Sequence, residues 1–286
     1  MQQPLPTTSQ PTTAQEEQQE AKERSAPSSK IIHEAILKEG REELARPSDA
    51  LFWSGLAAGL SMGLSMMAEG VMVHYLPDSA WRPLVANLGY SLGFLVVILG
   101  RQQLFTENTL TPILPLLELP TWRSLRNVLR LWGVVLVANL LGCLALALVV
   151  AHSDAFEPAI RAEFAHMGQE ELAPSFGTVL LRGIFAGWMI ALMVWILPFA
   201  DTGRIWVIII ITYVVGICHF SHVIAGTVEV FTLAASGGAS WGQVLGGFTV
   251  PALLGNILGG VLLVAGLNHA QVVTKGGNSH ADKQAA

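Results

Sequence analysis

Two short polar runs interrupt an otherwise apolar sequence, and they hold the residues with the most chemistry to offer. The first is Arg101-Gln102-Gln103-Leu104-Phe105-Thr106-Glu107-Asn108-Thr109, followed by Pro112 and Pro115; the second is Cys218-His219-Phe220-Ser221-His222, followed by Gly226. An imidazole such as His222 titrates near neutrality and can exchange a proton with a weak acid. A hydroxyl such as Thr106 donates or accepts a hydrogen bond, and so can fix a tautomer or a solute. His219 precedes His222 by three residues, which raises a His-x-x-His metal pair as an alternative. A metal site needs further ligands, none is evident, and structural hydrogen bonding is the reading for His219. Glu107 and Glu229 each follow a break, where a carboxylate at membrane depth is costly. Arg101 is the expected ion-pair partner of Glu107, and Glu69 is expected at a helix-packing or subunit-contact position.

These residues need a scaffold, and composition says which kind. Of 286 residues, 52% are hydrophobic and only 13% charged, against about a quarter charged in soluble domains. A hydrocarbon layer of about 30 Å takes about 20 apolar residues per helix. Runs of that length occupy roughly 51–76, 84–117, 127–151, 176–199, 205–236 and 245–268, the second and fifth being too long for one crossing. The polar runs fall inside these two. Unwound polar backbone at membrane depth survives only where protein buries it or a cavity wets it. The fold class expected is therefore an all-α membrane protein of six spans with broken second and fifth helices. Residues 1–28 are rich in Pro, Gln, Thr and Glu, lack the apolar core of a secretory signal, and are expected to be a disordered cytoplasmic tail. An amphipathic cytoplasmic helix follows over 29–47, with Glu34 and Lys38 spaced for an i,i+4 pair. The six-span domain covers 48–270, and 271–286 form a second cytoplasmic tail.

Charge placement orients the bundle. Lys22, Arg24, Lys30, Lys38, Arg41, Arg46, Arg123, Arg126, Arg130, Arg204, Lys275 and Lys283 would share one side, leaving Arg82 and Arg161 on the other. Basic short loops stay inside, so both termini read as cytoplasmic and the Glu-rich loop 152–175 as exterior. The halves also resemble each other. Gly55-Leu56-Ala57-Ala58-Gly59 recurs as Gly183-Ile184-Phe185-Ala186-Gly187, and Ala138-Asn139-Leu140-Leu141-Gly142 as Gly255-Asn256-Ile257-Leu258-Gly259. Three spans per half make this an inverted 3+3 repeat, a design that places its permeation site where the broken helices meet. Cys143 and Cys218, the two cysteines, sit in apolar runs and read as free thiols. No basic patch suggests nucleic acid. No nucleotide loop, nucleophile elbow or paired catalytic carboxylates suggest an enzyme.

Three ordered motifs resemble the formate/nitrite transporter family. Leu104-Phe105-Thr106-Glu107-Asn108-Thr109 looks like the LFT-x-x-T loop of its second helix, and Phe220-Ser221-His222-Val223-Ile224-Ala225-Gly226 like the histidine-bearing break of its fifth. Gly255-Asn256-Ile257-Leu258-Gly259-Gly260 matches the GNIxGG of its last helix. Residues 101–109 and Arg130-Leu131-Trp132-Gly133-Val134-Val135-Leu136 are similar to a YfdC-type branch of that family. The resemblance implies an aquaporin-like fold and a homopentamer in a bacterial inner membrane, with one pore per protomer for small monovalent anions and no cofactor. It also implies a midplane histidine, His222, a loop threonine, Thr106, and apolar constrictions from Leu104 and Phe105. Tyr90, Phe94, Ile190 and Val215 align with the constrictions less securely, and Glu107, Asn108 and His219 join the expected pathway. Two departures stand out: Glu171 occupies the place of a vestibule lysine, and Gly187 that of a fourth-helix asparagine. An acidic mouth repels anions. A neutral-solute channel of the aquaglyceroporin kind is the alternative, although neither break carries an Asn-Pro-Ala triplet.

Overall fold

The computed structural model describes residues 27–271; the tails expected over 1–28 and 271–286 lie outside the described residues except for 27, 28 and 271. Helix α1, Ser29–Ala45, buries His33, Ile36 and Gly40, a single face at helical spacing. Its Lys38 pairs with Glu42 at 3.9 Å, one turn onward, and not with Glu34. Pro47, which lacks the amide a continuing helix needs, separates it from α2, Ser48–Tyr75. Then come α3, Arg82–Ala86; α4, Ser91–Leu99; α5, Ile113–Glu118; α6, Trp122–His152; and α7, Pro158–Leu172. The chain continues through α8, Phe176–Ile196; α9, Arg204–Ile217; and α10, Val223–Ala235. It ends in α11, a helical rod over Trp241–Gln271. Wide π turns lie within it at Leu245–Thr249 and Gly259–Gly266. Pro251 just beyond the first has no N–H to return to the preceding turn, a common cause of such widening.

Among the described residues, five stretches are long and apolar enough to cross a membrane: Ser48–Tyr75, Arg82–Leu99, Trp122–His152, Phe176–Phe199 and Trp241–Gln271. Helix α10, at 13 residues, is apolar but shorter. The segment 152–175, read from sequence as a loop, contains α7. Ile160, Phe164 and Gly168 recur every four residues and are its buried face, which packs on α2 and α10. A stripe that narrow among polar neighbours is easily read as loop.

The two breaks are built alike. Helix α4 closes with Gln102 N–H on the Val97 carbonyl (2.9 Å) and Arg101 N–H on that of Ile98 (3.2 Å). Helix α9 closes with Phe220 N–H on Val215 (2.9 Å) and His219 N–H on Gly216 (2.8 Å). These paired bonds are the helix-ending turn usually given to glycine. Here Arg101 (φ 51°) and His219 (φ 52°) take the left-handed conformation instead. Each costs roughly 1–2 kcal/mol, so the surroundings must impose it.

Two asparagines supply much of that constraint. The Asn139 amide donates to the Gly55 and Gln103 carbonyls at 2.7 and 2.9 Å, while its oxygen accepts Phe105 N–H at 2.9 Å. Asn256 repeats the pattern, donating to Gly183 and Ser221 at 2.9 Å each and accepting Val223 N–H at 2.8 Å. Each asparagine thus staples the unwound tripeptide of one break to a neighbouring helix. The helices must approach closely for this. A side chain at Gly59 would collide with the Asn139 main chain, and one at Gly187 with that of Asn256. The sequence repeat is therefore a repeat of close approach and staple, and Gly187 is required here by packing.

Replacing Asn256 or Asn139 by Ala should strand three buried backbone groups, each worth roughly 1–3 kcal/mol. A fall of about 2–4 kcal/mol in stability is expected, read as an earlier midpoint in denaturant titration of detergent-solubilised protein. A midpoint within 0.5 kcal/mol of the parent, on the order of an ordinary surface change, would exclude the staple role.

Candidate functional site

His222 opens helix α10, and its position there fixes its chemistry. Its Nδ1 accepts the Ala225 N–H at 3.1 Å, capping the helix, while Nε2 lies 2.8 Å from Thr106 Oγ1. An amide can only donate, so Nδ1 presents its lone pair and the neutral ring carries its proton on Nε2. Thr106 Oγ1 then accepts from His222, which leaves its own hydroxyl hydrogen free for a third partner. One residue from each broken element therefore meets in a directed, donor-terminated pair. Both side chains are buried.

Aromatic rings surround it. Phe94 stands edge-on to the His222 ring with centroids 4.9 Å apart, and Tyr90 follows at 5.4 Å from Phe94. Leu104 occupies in the first break the place that His222 takes in the second, between the two peptide groups held by the asparagine. Phe105 lies against Trp132 at 5.8 Å, and Trp132 Nε1–H donates to the Asn108 carbonyl at 2.8 Å. The Asn108 amide itself donates to Gln103 Oε1 at 2.9 Å, so Asn108 braces the loop. Ile190 is buried in the same hydrophobic core as Phe94, Phe105 and Val215.

Cavities approach this layer from both ends. The larger, about 700 Å³, opens beside α1 and is lined by Glu43, Gln103 and Glu107 together with Arg46, Arg101 and Arg204. The smaller, about 50 Å³, lies beside α7; Tyr90, Val215, His219 and His222 line it with Glu69 and Glu229. The sequence-expected residues thus divide. Tyr90, Val215, His219 and His222 face one chamber, and Glu107 faces the other. Leu104, Phe105, Thr106, Phe94 and Ile190 are buried residues outside both linings.

Some expectations are corrected. Arg101 does not meet Glu107; its left-handed turn carries the guanidinium to Glu39, 3.9 Å away, at an exposed position. Glu107 has no ion pair among the described residues. His219 does not share a helical face with His222, because the break lies between them and His219 is exposed. Among the described residues no group of three His, Cys, Asp or Glu side chains could hold a metal. Glu69 lines the smaller chamber, and its main chain lies against Gly89.

Other residues of the site escaped sequence reading. Glu170 reaches the small chamber from α7, a helix the sequence reading leaves as loop, beside Glu171, which that reading already sets at the mouth. Glu43, at the end of a polar helix, gave no signal. Yet it accepts Gln103 Nε2–H at 3.1 Å and also the Thr111 hydroxyl, tying α1 to the first break. Arg130 holds the adjoining turn through the carbonyls of Leu44 and Arg46, at 2.8 and 3.1 Å.

Burial pushes the Glu43 carboxyl up to about 7; its bonds from Thr111 and Gln103 oppose the shift, Glu39 adds to it and Arg46 opposes it. Burial likewise raises Glu171 to about 7, against the charge of Arg182 and with Glu170 adding. A raised carboxyl pKa favours the protonated, folded form, because the exposed group starts to ionise near 4.5. The stabilisation from Glu43 is thus complete below about pH 4.5 and lost as pH climbs to about 7. Amide exchange over 29–45, corrected for intrinsic rate, should be slower at acid pH than above neutrality. Glu43→Gln should flatten that dependence; an unchanged profile would exclude Glu43 as its source.

Comparison with known proteins adds to this geometry. The sequence pattern of the family described as "Formate/nitrite transporter" matches residues 30–270. The chain is 39% identical over 241 residues to the "Inner membrane protein YfdC" of Escherichia coli (strain K12), spanning 84% of this chain and 78% of that one. It is 24% identical over 238 residues to the "Formate channel BtFdhC" of Bacillus thuringiensis, spanning 80% and 89%. Among solved structures it resembles a "Pentameric formate channel with formate bound", with TM-score 0.68 and 21% identity over 79% of this chain and 98% of that one. An "FNT family ion channel" superposes with TM-score 0.71 and 18% identity, spanning 84% and 99%.

Proposed function

Because the chain belongs to the formate/nitrite transporter family, we propose that it is a membrane channel or transporter for a small monovalent anion or the protonated acid of that anion. The observation that carries this reading is the Thr106–His222 pair, 2.8 Å apart where the two breaks meet and approached by a cavity from each end. Around it we place six spans in an inverted 3+3 repeat, the second and fifth each broken by its stapled tripeptide. His33 Nε2 lies 3.2 Å from His269 Nδ1, which brings the two described chain ends to one face. With the basic loops, this favours a cytoplasmic position for both, in a bacterial inner membrane. A homopentamer with a pore in each protomer fits the pentameric formate channel that the fold resembles.

An anion entering the buried layer sheds hydration at a cost of several kcal/mol, on the order of what burial of an unpaired charge demands. The Thr106 hydroxyl hydrogen, freed by the histidine bond, offers a donor in return. Protonating the solute removes the cost more fully. His222 can take a proton on Nδ1 by giving up the Ala225 bond, worth roughly 0.5–2 kcal/mol as a helix cap. It can then release the Nε2 proton through Thr106 to the anion, leaving a neutral ring of the other tautomer. Leu104 and Phe105, with Phe94, Tyr90, Ile190 and Val215, form the apolar walls that make this exchange necessary.

Purified protein in liposomes should pass at least one of formate, nitrite, acetate or hydrosulfide between pH 5 and 8. Silence toward every small weak acid would end the assignment, and osmotic shrinkage in glycerol would point to a neutral-solute channel instead. Thr106→Val should cut the flux at least tenfold where Thr106→Ser retains most of it, and His222→Ala should change its pH dependence. Wild-type pH dependence in a stable His222→Ala protein would take the imidazole out of the mechanism.

A further inference from the structure

One face of α6 has no partner within the protomer. Trp122, Arg126, Leu129, Gly133 and Val137 recur every three or four residues along it, and all are exposed. The stripe changes character along its length. Leu129, Gly133 and Val137 are apolar or bare, whereas Trp122 and Arg126, with Arg123 beside them, set an indole and two guanidiniums at one end. A side chain at Gly133 would meet nothing within 4 Å, so the apolar part is notched between Leu129 and Val137.

The cations at this end differ in their commitments. The stretch 122–131 contains three arginines and no acidic residue. Arg130 donates to the Leu44 and Arg46 carbonyls and, at 3.2 Å, to Ser48 Oγ. Arg123 and Arg126 are exposed and form no side-chain ion pair or hydrogen bond with a described residue. Their depth follows from helix length. The 31 residues of α6 reach roughly 46 Å at 1.5 Å per residue, against about 30 Å of hydrocarbon. Ser48 opens α2 beside Arg130, so the turns of α6 before Arg130 run past the start of α2, toward the headgroup layer.

This order of groups is that of a phospholipid. An acyl chain lies along Leu129 and Val137 and into the notch at Gly133, the phosphate meets Arg123 and Arg126, and the Trp122 ring marks the boundary. A free oxyanion would use the guanidiniums and leave the apolar stripe uncovered. A second copy presenting the same face would set arginine against arginine, a repulsive match.

We infer that the outward face of α6 is a binding site for an anionic phospholipid in the leaflet on the α1 side. Arg123 and Arg126 hold its phosphate, and Leu129, Gly133 and Val137 seat a chain. The inference goes beyond the transport reading and requires only that the chain span a membrane.

The test titrates the full chain, purified in detergent, with phosphatidylglycerol or phosphatidylcholine of identical acyl chains, and counts retained lipid by native mass spectrometry. Phosphatidylglycerol should bind about tenfold more tightly, on the order of what two cations near an anionic headgroup supply, and added salt should narrow the gap. Arg123→Gln/Arg126→Gln should abolish the preference and leave phosphatidylcholine binding unchanged, whereas Gly133→Leu should weaken both lipids. Should the double variant lose its native elution profile, Arg126→Gln alone should cut the preference at least twofold. Equal binding of both lipids to wild-type protein, or a preference that survives in the folded double variant, overturns the site. Displacement of phosphatidylglycerol by inorganic phosphate alone would make it an oxyanion site. A lower oligomer mass in Gly133→Leu with lipid binding intact would give the face to a second copy. Either result overturns the lipid assignment and leaves the transport reading standing.

Discussion

Peptide groups that leave a helix inside a hydrocarbon layer must find partners in the protein, and the structure is organised around meeting that demand twice. Two helices stop at membrane depth, and each exposes an unwound tripeptide whose N–H and C=O groups would cost several kcal/mol, on the order of an unsatisfied buried amide. Asn139 and Asn256 answer with one side-chain amide per break. The carboxamide suits the task because it both donates and accepts, and bonds two peptide groups while reaching back to a third. Glycines on α2 and α8 let the asparagine-bearing helices come close enough. Remove that approach, and the breaks have no reason to hold their shape.

Much of this frame was legible in sequence because its causes are local. Apolar runs, the polar interruptions and the repeated Gly and Asn positions mark where helices run, stop and touch. The histidine–threonine pair was legible through motif resemblance, and each residue lies in a break that composition alone would have flagged. What sequence could not reveal depends on folding distant segments together. Arg101 was expected to reach Glu107, six residues away, but a left-handed backbone at Arg101 turns it to Glu39 on α1. Glu43 looked like solvated helix surface until the first break folded onto it. The chamber that Glu69 lines needs α7 to close it, and the sequence reading leaves that helix as loop.

Electrostatics differ at the two ends although the backbone nearly repeats. One chamber interleaves guanidinium and carboxylate groups; the other gathers carboxylates with cations only at its margin. Helix α7, just before α8, supplies two of those carboxylates, as α1, just before α2, supplies Glu39, Glu42 and Glu43 to the other chamber. The asymmetry thus lies in Arg46, Arg101 and Arg204, which line the α1-side chamber and have no equivalent among the described residues lining the other.

The stapled tripeptides have a wider consequence. Each asparagine grips main-chain atoms on either side of a central residue and never touches that residue's side chain, which is Leu104 in one break and His222 in the other. Architecture and chemistry are thereby uncoupled at Leu104, while at His222 the ring also caps α10 through the Ala225 N–H. Descendants of such a chain can exchange the greasy plug at Leu104 for an ionisable group while inheriting the same staple, so new solutes become reachable by single-codon steps without passing through a misfolded ancestor.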